Sequence, residues 1–188
     1  GDVEMSPYSD YALTSEEKER GLILACRSVP WSDCELSPID EDEAIVHANR
    51  QLICEVIDLE QATHDIQIVR LKISAGGPYD FSAGQYAAVT FQDLPPRDYS
   101  MANIPADNIL EFHIRLVPGG AVTPYVLNEL KTGDQVLVQG PFGTAYYRDS
   151  HRGPIIAAAG GSGLAPIKSI LDTAFAKGAK QPITLYFG

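Results

Sequence analysis

Arg97-Asp98-Tyr99-Ser100 puts a guanidinium, an aromatic ring and a hydroxyl within four residues. On an extended segment alternate side chains share a face, so Arg97 and Tyr99 look one way and Ser100 the other. A flat heterocycle with a phosphate tail is held by such a set: an Arg fork for the phosphate, a ring to pack on, a hydroxyl for the heterocycle edge. Alone, the tetrapeptide reads more simply as an exposed Arg beside a half-buried strand Tyr. Two glycine turns downstream change that reading. Pro118-Gly119-Gly120-Ala121-Val122-Thr123 follows an apolar-polar run and leads into a helical pattern, a cradle for pyrophosphate at free backbone N–H groups. Gly160-Gly161-Ser162-Gly163-Leu164-Ala165-Pro166 follows the apolar run 154–159 and opens a second helical pattern, suited to a second nucleotide.

The elements that must position these residues follow from periodicity. Segments 51–59 and 65–73 alternate apolar and polar as paired antiparallel strands do, and Gly76-Gly77-Pro78 turns the chain. Phe81 to Tyr86 leads into a strand through Phe91, and strands are expected at 97–102, 109–117 and 135–140. A helix is expected over 124–131, and Lys131-Thr132-Gly133-Asp134 forms a turn. A strand at 154–159, a helix and a strand at 183–188 then begin a parallel sheet. Near the N-terminus, Thr14 or Ser15 caps a helical turn that Gly21 closes, and 22–25 reads as a short apolar strand ending in Cys26.

Composition limits the partners. The chain has 188 residues, 45% hydrophobic and 21% charged, with a formal net charge of -11. That charge argues against nucleic acid or an anionic membrane as partner. No apolar run reaches the roughly 18 residues of a membrane span, and no signal-peptide pattern opens the sequence. Cys26, Cys34 and Cys54 have no disulfide-framework spacing, so a reducing cytoplasm is the expected location, with Cys34 and Cys54 as packing residues. His47, His64, His113 and His151 lack metal-ligand spacing, and only His113, on the 109–117 strand, is given a role.

RDYS, GGAVT and GGSGLAP, in that order, resemble the ferredoxin-NADP reductase superfamily, and FSAGQY is similar to it as well. The resemblance implies a six-stranded antiparallel Greek-key flavin barrel (41–150), then the start of a Rossmann-like, parallel-sheet NAD(P)H-binding domain (151–188). It implies that Arg97 pairs with the pyrophosphate of FAD, that Tyr99 packs on the flavin ring and that Ser100 hydrogen-bonds near its reactive edge. His113, Ile114, Arg115 and Val117 would contact the ring and ribityl chain. Gly119, Gly120, Ala121, Val122 and Thr123 would wrap the phosphates, while Asp98 would face away. Gly160, Gly161, Ser162, Gly163, Leu164, Ala165 and Pro166 would hold the dinucleotide. NADH is the expected donor, with NADPH left open.

GLILACRSVPWSD resembles the last part of a plant-type 2Fe-2S ferredoxin domain, in which the position of Cys26 is the fourth cluster ligand. Residues 1–40 are therefore expected to be a remnant of such a domain, followed by an acidic linker, Glu41 to Ala44. The three companion ligands are missing, so Cys26 is expected to be a buried strand-end cysteine and the chain to carry no iron. An unfinished parallel sheet at the C-terminus extends the same expectation: a fragment that binds FAD well, binds dinucleotide poorly and does not pass electrons to a cluster. Domain order resembles FAD-dependent reductases of bacterial ring-hydroxylating dioxygenases such as the carbazole type, with a ferredoxin or terminal oxygenase as partner. A reductase of a diiron monooxygenase, a free flavin reductase and a flavin-binding module remain alternatives.

Overall fold

The computed structural model describes residues 2–9, 12–36, 45–106 and 109–188. The chain divides into two compact units, Gly1–Asp42 and Glu43–Gly188. In the first, β1 (Val3–Met5) pairs antiparallel with β2 (Ser28–Pro30). Between them lies α1 (Ser15–Glu19), whose Thr14 and Glu17 form the reciprocal cap that a T-x-x-E pattern provides. The strand expected at 22–25 is not formed. Ala25–Arg27 is a 3-10 turn, and the strand starts only at Ser28. Cys26 is exposed rather than buried, while Cys54 is fully buried as expected and Cys34 lies between. The expected linker 41–44 lies outside the described residues.

The second unit begins with β3 (Arg50–Gln61), β4 (Ile66–Ala75), β5 (Tyr86–Phe91), β6 (Arg97–Ser100), β7 (Ile109–Arg115) and β8 (Gln135–Phe142). They form one antiparallel sheet in the order β6-β5-β8-β3-β4-β7, and an isolated bridge from Met101 to Phe112 draws the two edges together. The result is the expected six-stranded near-barrel. Strand alternation fills it: Leu52, Cys54 and Val56 of β3, Val69 and Leu71 of β4, and Leu110, Phe112 and Ile114 of β7 are all at most 1% exposed. The short helix α2 (Val122–Asn128) adds Val122, Tyr125 and Val126 to that core. It starts two residues before the expected position, since Pro124 falls in its first turn, where no N–H is needed.

A parallel pair follows, β9 (Ile155–Ala159) with β10 (Ile183–Phe187), connected through α3 (Leu164–Ala176). A dozen or more residues are needed to return a strand parallel to its predecessor, and α3 supplies them. Its Ala165, Ser169, Leu171, Thr173 and Ala174 are buried.

Candidate flavin site

β7 sorts its residues by parity. Leu110, Phe112 and Ile114 enter the core, so Glu111, His113 and Arg115 share the opposite face. Two of these, His113 and Arg115, border a cleft of about 480 Å³. Its wall continues with Arg97 and Tyr99 of β6, then Val117, Gly120, Ala121, Val122 and Thr123 of the β7–α2 turn. Ser162, from the turn before α3, completes the rim. Both glycine turns therefore meet at one cavity. Asp98 also borders it, contrary to the expectation that it would face away.

Tyr99 is fixed from behind. Its ring meets Phe91 and Phe112 edge-on, with centroids 6.5 Å away in each case. Its hydroxyl is buried with no partner among the described residues, and burial raises its pKa, partly offset by Arg97. The Arg97 guanidinium is exposed and makes one described bond, from Nη1 to the Pro96 carbonyl at 2.9 Å. Arg115 is oriented by Asp65, whose Oδ2 accepts from Nε at 2.7 Å. The Asp65 carboxyl is held below its usual range, chiefly by the Thr63 hydroxyl and then by Arg115.

The β7–α2 turn is tight and built on glycines, with the Gly120 N–H bonded to the Val117 carbonyl at 3.0 Å. Gly119 has φ +75°, and a Cβ on Gly120 would lie 3.1 Å from the Val117 carbonyl oxygen. Thr123 Oγ1 accepts from the Val117 N–H at 2.8 Å, and its own proton has only a 3.5 Å contact to the Val117 carbonyl. The hydroxyl thus closes the turn and keeps a donor for a phosphate oxygen. An orphaned hydroxyl on Tyr99, two cations and this cradle fit a flavin with a pyrophosphate tail.

Other expected residues stand elsewhere. Ile114 is fully buried, so only its backbone can face a ligand. Ser100 pairs with Tyr86 and, like Gly119, is not among the residues lining the cleft. Of the 160–166 turn only Ser162 borders it; Ala165 packs in the interior. Gly160 instead borders an open crevice of about 760 Å³ beyond the carboxyl ends of β9 and β10, where ligands of open α/β sheets bind. Gly161 has φ +53°, and a Cβ there would lie 3.3 Å from Arg115 Nη1. Sequence reasoning passed over Asp65 and Glu111. The second carried a signal, because Glu111, His113 and Arg115 stand at positions i, i+2 and i+4 of one strand.

Glu111 accepts from Arg70 Nε at 2.8 Å and from His113 Nε2 at 3.2 Å, with Lys168 Nζ at 3.4 Å. The hydrogen bond from His113, followed by Arg70 and Lys168, outweighs burial and brings its pKa down to about 2.

Residues 53–147 match the oxidoreductase FAD-binding domain. The chain belongs to this family. Among curated relatives, the reductase component of the naphthalene 1,2-dioxygenase/salicylate 5-hydroxylase systems of a Ralstonia species is 46% identical over 166 residues, 88% of this chain and 50% of the relative. The propane 2-monooxygenase reductase component of Mycolicibacterium goodii is 35% identical over 100% of this chain and 56% of the relative. The solved ferredoxin reductase in carbazole 1,9a-dioxygenase superposes with a TM-score of 0.70 at 28% identity, over 100% of this chain and 56% of that one. The chain therefore spans about half the length of the curated relatives it matches. In this FAD-binding family member, no three His, Cys, Asp or Glu side chains gather as a metal site among the described residues. Among the same residues no helix is long and apolar enough to cross a membrane.

Proposed function

We propose that this chain is the flavin-bearing part of an NADH-dependent reductase component of a bacterial aromatic-ring dioxygenase system, handing electrons to a ferredoxin or terminal oxygenase. The observation that carries the reading is the convergence of Arg97, Tyr99, Thr123 and Ser162 on one cleft. FAD bound there would supply hydride acceptance from a reduced nicotinamide and one-electron release. The protein's part is positional. Arg97 and the Gly119–Thr123 turn hold the pyrophosphate, Tyr99 presents a core-anchored ring, and Arg115 stands between the flavin cleft and the glycine turn at Gly161. The turn 160–166 and the crevice at Gly160 hold the dinucleotide, with the nucleotide-binding portion starting near residue 151. Onward transfer through a 2Fe-2S centre rests on the ferredoxin-like wording around Cys26, and among the described residues no set of side chains fits a cluster.

A second reading, the reductase of a monooxygenase system, is favoured by the Mycolicibacterium goodii relative, whose similarity runs the whole length of this chain. Both readings require the same first result. Purified chain loaded with FAD should show a perturbed flavin absorption band that bleaches on anaerobic addition of NADH. A chain that leaves the FAD spectrum and fluorescence unchanged would overturn both. Because this chain is not expected to pass electrons onward, binding of the FAD-loaded chain to a Rieske ferredoxin, against binding to a monooxygenase component, separates them.

A further inference from the structure

Glu111 is a buried carboxylate at the meeting point of three elements. Its side chain is 11% exposed and that of His113 9%. Oε2 takes Arg70 of β4, while Oε1 takes both His113 of β7 and Lys168 of α3. An ionised carboxylate only accepts, so His113 Nε2 must carry the hydrogen, which fixes the ring's orientation and leaves Nδ1 as its other polar atom. His113 borders the flavin cleft; Lys168 does not. Lys168 also donates to the Ala102 carbonyl at 3.2 Å, and the next residue, Ser169, donates to the Asn103 carbonyl at 2.7 Å. Asn103 returns to Glu111, whose N–H it accepts at 2.9 Å. These polar contacts of α3 with the β6–β7 connection converge on Glu111, and α3 starts directly after the glycine turn 160–163.

We propose that Glu111 is a positioning residue that couples α3 to the flavin cleft through His113. The proposal rests on the flavoprotein reading above. A displacement of α3 moves Lys168, the shared Oε1 then favours one donor over the other, and the His113 ring turns against the cleft wall. The coupling runs equally in reverse, because a change in free energy at one site is returned at the other. Facing groups also include Asp172, paired with Lys168, and Asp58 and Glu60, paired with Arg70, so the carboxylate sits in a network that a single substitution unbalances.

The test compares FAD binding by the wild-type chain, Lys168→Met, Lys168→Arg, Glu111→Gln and the Lys168→Met/Glu111→Gln double variant. Readouts are the FAD dissociation constant from fluorescence and the visible circular dichroism of the bound flavin, with urea denaturation of each apoprotein as a folding control. Lys168→Met is expected to weaken FAD about three- to tenfold and to alter the dichroic band although it touches no part of the cleft, with Lys168→Arg restoring both. The double variant should bind no worse than Glu111→Gln alone. Effects that multiply in the double variant, or a Lys168→Met protein with unchanged affinity and dichroism, overturn the coupling even if Glu111→Gln unfolds. Wild-type chain that fails to bind FAD overturns the flavoprotein reading and this proposal together, whereas wild-type binding with silent variants overturns the proposal alone.

Discussion

In the proposed site Arg97 and Thr123 would meet the same ligand class by different means. Arg97 is a solvated fork whose described bond is to its neighbour's carbonyl, so its freedom is spent only when an anion arrives. Arg97→Ala should weaken FAD by about 1.5 to 3 kcal/mol, roughly ten- to 150-fold in dissociation constant, with apoprotein stability unchanged. Fluorescence titration checks the first part and urea denaturation the second. Thr123 is built into the fold as well as the site. Thr123→Val leaves the Val117 N–H without its acceptor, so it should cost about 1 kcal/mol of apoprotein stability in addition to weakening FAD. A variant with lower affinity but native stability would show that the Oγ1 bond does not hold the turn.

The elements divide into those that sequence periodicity reveals and those it does not. β3, β4, β5, β7 and β8 were legible because each runs at least six residues with buried positions recurring along it, β6 (Arg97–Ser100) was legible by its residue types rather than by burial, and Thr14 announced α1 through its capping partner. β1 and β2 were not, because three residues carry too little alternation and their pairing joins segments more than twenty residues apart. Leu22 to Ala25 looked like a strand by composition, yet a 3-10 turn takes Ala25 to Arg27. In the site, the types at positions 97, 99 and 120–123 were legible. The proximity of the two glycine turns to one cleft was not, since it depends on how α3 packs. That packing also decides which glycine reports on the dinucleotide turn alone. Gly161→Val would strain a positive φ and push on Arg115, disturbing both ligands. Gly163, with nothing within 4 Å of its Cβ position, is the cleaner probe. Gly163→Val should weaken NADH about tenfold and leave FAD affinity within about twofold, as measured by titrating the FAD-loaded chain. Loss of FAD from this variant would show that the two sites are not divided as described.

At the scale of the molecule, charge and burial set the pH response of the second unit. Glu111 has a folded pKa of about 2, below its unfolded value of 4.5. A depressed carboxylate stabilises the fold above the unfolded value, and this contribution is lost as pH falls from 4.5 through 2. It amounts to something on the order of 3 kcal/mol. Wild type should therefore lose its stability advantage over Glu111→Gln across that window, read as converging urea midpoints; a constant gap would assign the stabilisation to other groups. Arg115 carries the last consequence. It borders the flavin cleft, and its Nη1 lies 3.3 Å from where a Cβ on Gly161 would stand. One cation facing two binding regions cannot be polarised or displaced from one side unnoticed by the other. With FAD and dinucleotide bound as proposed, occupancy of the two regions would be thermodynamically linked, and the order of addition would change the path of assembly and leave its total free energy the same.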